Sequence, residues 1–204
     1  LAIGIDHLEK HVINVRRYGV PVVVGINVFV NDPPEEVDAL LAAADRLGVP
    51  VARSDHWEKG GEGALGLAEL VIEAAESGKA DFRCLYPDHL GLLEKTRRIC
   101  REIYGATDVL ADMKLRNRFK ALENAGHADL PVCIAKTHLS ISSDPKLKGA
   151  PTGWTLPVRE VRASVGAGFI YPLCGDMRTM PGLGKTPAAM SIDIDENGEI
   201  VGLS

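Results

Sequence analysis

The segment Pro21 to Asp32, PVVVGINVFVND, closes a β-branched run with an amide and follows it with Phe29 and Asp32. An amide carries both a donor and an acceptor, so Asn27 suits the edge of a heterocycle, and a phenyl ring two residues later suits stacking on a planar ring. The plainer reading of the same residues is a capped strand end with Phe29 in the core. A second segment, Ser54 to Gly63, reads SDHWEKGGEG. Gly60, Gly61 and Gly63 let backbone N–H groups approach a ligand, and an indole in a polar loop is better explained by binding than by burial. Here too a plainer reading stands beside it, with Trp57 folded back on the next helix. Strand ends in a parallel sheet lie about 5 Å apart, so Phe29 and Trp57 are placed to flank one flat ligand.

Other residues carry less. Gly182-Leu183-Gly184-Lys185-Thr186 looks like the tail of a phosphate-binding loop, but the required first glycine is Thr179, and Pro187 stands where a helix should begin. TMPGLGKTP therefore reads as an ordered loop near a site or interface. His7 and His11, at i and i+4, could face one metal ion, but no third ligand is apparent and no metal site is assigned. Lys136-Thr137-His138 and Pro151-Thr152-Gly153-Trp154 sit at strand ends, where either segment could be structural. Cys84, Cys100, Cys133 and Cys174 form no Cys-x-x-Cys pair and sit mostly in apolar runs. This favours reduced, buried thiols in a cytoplasmic protein with neither disulfides nor a zinc ribbon.

Positioning Asn27, Phe29 and Trp57 together requires two parallel strands whose carboxyl ends lie side by side. The sequence supplies them. Ile5, Leu8, Val12 and Val15 mark an opening helix that is under way almost from Leu1, as expected of a chain that starts inside a domain. Pro21 to Ile26 predicts a strand covered on both faces. Asp32 to Glu36, DPPEE, predicts an N-cap, prolines in the first turn and acids at the positive end of a helix whose apolar face is Val37, Leu40, Leu41, Ala44 and Leu47. Gly48 ends it, Val49 to Ala52 predicts a second strand, 54–63 a polar loop, and Leu65 to Ala75 a further amphipathic helix. Strand, helix, strand, loop and helix in that order imply a parallel sheet with ligands beyond the strand carboxyl ends.

From about Leu90 the pattern changes. Leu93, Cys100 and Ile103 mark one helix, Leu115, Arg118, Phe119 and Leu122 another, and Val132 to Ala135 a buried strand. Met190 to Asp195 (MSIDID) and Glu199 to Leu203 (EIVGL) predict a hairpin with its turn at Glu196 to Gly198. The reading is thus an α/β unit over 1–89 and a smaller α+β unit over 90–204, with the boundary near Lys79 to His89. A length of 204 residues, 25% charged and 46% hydrophobic, suits an ordinary soluble chain of one or two domains. The net charge of −5 argues against nucleic acid or acidic lipid as partners, and no apolar run is long enough for a membrane span.

Taken together, the blocks HLEKHVINVRRYGVPVVVGINVF, HWEKGGEGALGLAELV, EIYGATDV, LPVCIAKTHLS, PTGWTLPVREVRASVGAGFIYPL, TMPGLGKTPAA and IDIDENGEIVGL resemble the formate–tetrahydrofolate ligase family over nearly the whole chain. Departures from the family pattern fall at Arg53, Trp154, Gly184 and Ser204, of which Arg53 is nearest the pocket. The resemblance implies the C-terminal part of a P-loop-NTPase-like parallel sheet with flanking helices. It implies an ATP-dependent ligase that phosphorylates formate and passes the formyl group from formyl phosphate to N10 of tetrahydrofolate. It also implies assistance by Mg²⁺ and a monovalent cation, and a homo-oligomer of the kind that is commonly tetrameric in the family. Phe29 and Trp57 match the aromatic pair that holds the folate ring. Asn27 matches a base-reading position, and Ser54, Gly60, Gly61 and Gly63 are expected to line the nucleotide side. The phosphate-binding lysine and the catalytic groups are expected upstream of Leu1, so the chain alone should not turn over. The alternative is a non-catalytic C-terminal module that binds folate or supports an oligomer. A GTP-binding switch domain is disfavoured, because Asn27 is followed by Val-Phe-Val rather than Lys-x-Asp.

Overall fold

Residues 2–175 and 185–202 are described by the structure, a computed structural model. Helix α1, Ala2–Arg16, buries Val12 and Asn14 and joins two groups of elements through its polar side chains. Arg16 donates to the carbonyls of Leu47 and Gly48, both at 2.9 Å. Asn14 donates to the carbonyl of Ile103 at 3.0 Å, and Lys10 to that of Glu102 at 3.2 Å.

Strand β1 covers Val24–Asn27 and strand β2 covers Val51–Ser54. They pair in parallel with Val24 opposite Val51 and Asn27 opposite Ser54. Both begin later than the apolar runs suggest. Pro50 has no N–H and contributes only its carbonyl, to Val24 N at 2.9 Å, so the ladder of β2 begins at Val51. Ile26 is buried, whereas Val22, Val23 and Val24 are half-buried.

Helix α2, Pro34–Arg46, connects the two strands and buries Val37, Ala43 and Ala44, with Glu35 and Glu36 in its first turn. Its N-cap is Pro33, with no side-chain capping bond. Asp32, expected as the cap, instead accepts the N–H of Phe29 at 2.8 Å, because the intervening residues turn its carboxylate back over the strand end. Segment 54–63, expected as a loop, is helical: a turn α3 at His56–Lys59 and a 3₁₀ turn at Gly60–Ala64 lead into α4, Leu65–Glu76. The Asp55 carbonyl accepts from Glu58 N and Lys59 N, both at 3.0 Å, and so starts the helix that the glycines appeared to forbid. None of the residues of α4 is buried, and Leu65, Val71 and Ile72 are 60%, 50% and 56% exposed.

After α4 the chain returns across the end of α1. Asp81 N donates to Gly19 O at 2.7 Å and Arg83 N to Tyr18 O at 3.1 Å, while Tyr18 and Phe82 stack with centroids 6.4 Å apart. Gly19 has φ +70°, and a Cβ there would lie 1.9 Å from the Asp81 carbonyl oxygen. The close crossing therefore admits only glycine.

The principal core lies beyond this crossing. Helices α5, Leu92–Glu102, and α6, Met113–Leu122, pack on a mixed sheet ordered β3-β4-β5. Its strands are β3 (Asp108–Leu110), β4 (Thr155–Ser164) and β5 (Phe169–Cys174), with β3 parallel and β5 antiparallel to β4. Leu92, Phe119, Leu156, Val161 and Ile170 fill the centre. The segment predicted as a strand at 132–135 runs beside β5 through bridges at Val132–Ile170 and Ala135–Leu173 only. Pro131 and Pro172 withhold the donors that a full ladder needs.

Lys95 is fully buried, its ammonium held by the carbonyls of Ala128 at 2.8 Å and Leu130 at 3.1 Å. Desolvation pulls its pKa below the usual lysine value. The thiols divide evenly, against the expectation of general burial: Cys100 and Cys174 are buried, Cys84 and Cys133 exposed. The apolar run around Cys133 fails to bury it because alternate residues of an extended segment face opposite ways. The hairpin forms as expected, from β6, Asp193–Ile194, and β7, Ile200–Val201. The phosphate-loop-like segment lies largely outside the described residues, which resume at Lys185.

Candidate functional site

The parallel register sets the site. Because Asn27 stands opposite Ser54, the residues leaving β1 and β2 emerge side by side. Val28 N donates to Ser54 O at 2.9 Å, extending the pairing one step. From there Phe29 and Trp57 turn to the same side, with ring centroids 5.8 Å apart and planes 27° from parallel. The indole N–H donates to the Val28 carbonyl at 3.0 Å, tying the second ring to the first strand. The Phe29 backbone is held in turn by the Asp32 carboxylate. Each ring remains 48% exposed, although together they are apolar enough to gain from burial.

The gap between the rings is informative. A third ring stacked on both faces needs roughly two carbon contact distances of about 3.5 Å, or near 7 Å between outer centroids. At 5.8 Å the centroids lie closer than that, so a flat ligand enters between the rings only if they move apart.

The polar residues divide into an exposed set and a hydrogen-bonded set. Asn27 is exposed, and its amide makes no hydrogen bond among the described residues. Ser54 is 3% exposed, with its hydroxyl shared with His56 Nδ1 at 3.0 Å. Gly60 has φ +58° and ψ −141°, a backbone region open only to glycine. Gly61 faces open space. Gly63 lies against Asp55, whose N–H donates to the Gly63 carbonyl at 3.2 Å. The Lys59 ammonium hydrogen-bonds the Asp55 carboxylate, holding that carboxyl below its usual range and raising the lysine. His56 and the Val28 carbonyl escaped the sequence reading. The signal for His56 was its place two residues after a strand-end serine.

The other sequence candidates lie apart from this pair of rings. His7 and His11 stack on each other at 4.7 Å. Lys136 donates to the carbonyls of Thr137, Ser140 and Ser142, and its ammonium sits over the Tyr104 ring at 5.0 Å, which makes it a clamp on its own loop. The Trp154 indole donates to Pro151 O at 3.1 Å and its ring packs against the core. Among the described residues no three His, Cys, Asp or Glu side chains are grouped to hold a metal ion, and no helix is long and apolar enough to cross a membrane.

Parallel and mixed sheets with flanking helices make this an α/β protein, with a half-exposed aromatic pair just beyond the carboxyl ends of β1 and β2. The family model described as formate–tetrahydrofolate ligase matches residues 1–204. The chain belongs to the formate–tetrahydrofolate ligase family. It is 55% identical over 98% of its length to formate–tetrahydrofolate ligase of Saccharopolyspora erythraea, 52% over 98% to that of a Ruegeria species, and 49% over 98% to that of Granulibacter bethesdensis. It covers 35%, 36% and 35% of those proteins respectively, so it spans about a third of the length of the relatives it matches.

Proposed function

We propose that this chain is the folate-gripping part of a ligase that joins formate to tetrahydrofolate, with Phe29 and Trp57 closing on the two faces of the pteridine ring. The observation that carries the reading is the contact of these two half-exposed rings on one side of adjacent parallel strand ends. Insertion of the ring system replaces an aromatic pair by a stack of three, burying apolar surface on both faces of the ligand. Asn27, with a free amide, reads the edge of the nucleotide base, and Gly60, Gly61 and Gly63 with Ser54 shape the wall beside it.

In this reading ATP transfers its terminal phosphoryl group to formate, giving formyl phosphate and ADP. N10 of tetrahydrofolate then attacks the formyl carbon, and phosphate leaves as the C–N bond forms. Such transfer rests on backbone amides, cationic side chains and metal around the phosphates. Among the described residues no three His, Cys, Asp or Glu side chains are grouped to hold a metal ion, and Lys59 is committed to Asp55. We assign the phosphate-binding lysine, the Mg²⁺ and monovalent-cation sites and the P-loop-like part of the sheet to the two thirds of the relatives' length that the chain does not cover. Tetrameric assembly and a cytoplasmic setting belong to the same reading.

The test has two arms. Formation of 10-formyltetrahydrofolate should be undetectable with the chain alone and present when it is part of a full-length ligase. Turnover by the chain alone would overturn the division of labour. In the full-length enzyme tetrahydrofolate should quench indole fluorescence saturably, and Trp57→Phe should remove that part of the quenching. Equal quenching with and without Trp57 would sink the folate assignment.

A further inference from the structure

We infer that the outer side of α4 and the open edge of β1 form one docking face, whose occupant is the part of the full-length ligase outside residues 1–204. This face follows from reading the chain as one portion of a longer ligase and is independent of the folate clamp.

Helix α4, LGLAELVIEAAE, is apolar around more of its circumference than covering a sheet requires. At about 100° per residue, its half-buried positions Leu67, Leu70 and Ala74 fall on one side. That side meets β1: a Cβ on Gly25 would lie 2.8 Å from Leu67 Cδ2. A stripe of roughly 100° is enough for such packing. Here the apolar surface runs on through Val71, Ala75, Ala68, Ile72 and Leu65, so that it spans roughly 220° of the helix, and all five of these residues are exposed. Gly66, Glu69, Glu73 and Glu76 fill the rest. A helix apolar over most of its surface is one that is buried on more than one side.

The strand that α4 covers is open as well. β1 pairs with β2 along one edge, and along its other edge no strand pairs among the described residues. Parallel sheets occur with both faces covered and with more strands than two. Pro21 and Val23, leading into β1, line an apolar groove with Val71, Ala74 and Ala75, and its volume is about 350 Å³. Val71 and Ala75 belong both to the groove and to the exposed arc of α4, so the two are one continuous surface reaching the start of β1.

Two properties of this surface select its occupant. The chain covers 35%, 35% and 36% of three relatives, so in those proteins the same polypeptide has ample further length for a strand along β1 and an apolar layer over α4. The face is also bordered by Glu69, Glu73 and Glu76, with no basic residue on the helix. Two copies of it would set acid against acid, whereas a segment with an apolar centre and a rim of Lys or Arg complements it.

Cysteine labelling tests the face, with Ile72→Cys placed in the full-length ligase and in the 204-residue chain and each rate divided by that of the denatured protein. Peptide mass spectrometry separates the new thiol from the exposed Cys84 and Cys133. In the full-length ligase the new thiol should react about tenfold or more slowly than in the chain alone, where position 72 is exposed. Hydrogen exchange over 65–76 in the two unsubstituted proteins should follow the same order. Equal labelling rates, or labelling of the full-length ligase at the denatured rate, overturn the face, and the second result decides without the chain alone. Protection that disappears when the full-length ligase is diluted to monomers assigns the face to a second copy and overturns the occupant. Turnover by the chain alone would remove the longer-ligase reading without altering any of these rates, so the two failures are told apart.

Discussion

Gly63 rests directly on Asp55: a Cβ built on the glycine would lie 2.6 Å from Asp55 Oδ1, 2.7 Å from its backbone carbon and 2.8 Å from its carbonyl oxygen. Two of these three atoms are backbone, so nothing swings aside. Gly63→Ala should therefore shift the 55–63 turn and lower stability by about 1 to 3 kcal/mol. Gly61→Ala, where no atom lies within 4 Å, should leave the melting temperature nearly unchanged. Thermal denaturation of the two variants side by side decides the matter, and equal losses would contradict the geometry.

Replacing Trp57 removes one face of the aromatic pair together with its tie to the Val28 carbonyl. In the full-length ligase, Trp57→Ala should raise the folate KM by roughly five- to 150-fold, corresponding to a stacking loss of about 1 to 3 kcal/mol. Trp57→Phe keeps a ring but not the N–H, and should fall between the two. Steady-state kinetics with folate varied at saturating ATP and formate is the measurement, and an unchanged KM in Trp57→Ala counts against the clamp.

The four thiols should separate into two classes. Burial pushes the Cys100 and Cys174 thiols up to about 12, so at pH 8 they remain protonated as well as shielded. Titration with a chromogenic disulfide should register Cys84 and Cys133 quickly in the folded protein, and all four only after denaturation. Four fast thiols under native conditions would show that the core around Cys100 opens.

His11 gives a pH dependence of known sign. Desolvation, followed by the charges of His7, Lys10 and Lys136, lowers its pKa below the usual imidazole value of about 6.5. The unfolded chain then takes up a proton more readily than the folded one, so stability is full above that value and declines as the pH falls through the lowered folded value. Melting temperatures followed downward from pH 7.5 should show this decline, and His11→Gln should flatten it. A wild-type curve no steeper than the variant's would refute the assignment.

Phe119 is 1% exposed and stands at the meeting of α6 with the mixed sheet. Phe119→Ala should cost about 3 to 5 kcal/mol, read as a lower urea midpoint. The buried residues around β1 and β2 are few and small, such as Val37, Ala43 and Ala44. Truncation there, for example Val37→Ala, should cost less.

Much of this arrangement could be read from residue order, for identifiable reasons. A β-branched run, a capped apolar helix face and a second short run specify a parallel pair, and that pair alone puts Phe29 beside Trp57. Helices form at 92–102 and 113–122 as the spacing predicts, but the buried stripe is shifted: of Leu93, Cys100 and Ile103 only Cys100 is buried, and Arg118 is exposed while Leu115, Phe119 and Leu122 are buried. The helicity of 56–64 was hidden because the Asp55 carbonyl starts it, whereas side-chain types point to a loop. Asp32 looked like a cap because its position before two prolines suits that role; its bond to Phe29 N depends on the turn between them. Lys95 lies on the same stripe as Leu92, Thr96 and Cys100, yet burying a cation depends on the Ala128 and Leu130 carbonyls, which sequence cannot place. The 5.8 Å between the Phe29 and Trp57 ring centroids belongs to the same class: it is a distance, and no pattern of residue types contains it.

The crossing of Gly19 and Asp81 makes everything between them a cassette with a single doorway. Its entrance and exit are laced by two backbone bonds, Asp81 N to Gly19 O and Arg83 N to Tyr18 O, so the two passages are fixed side by side. Any residue larger than hydrogen at that doorway would prise the two passages apart and turn one fixed hinge into two loose strings.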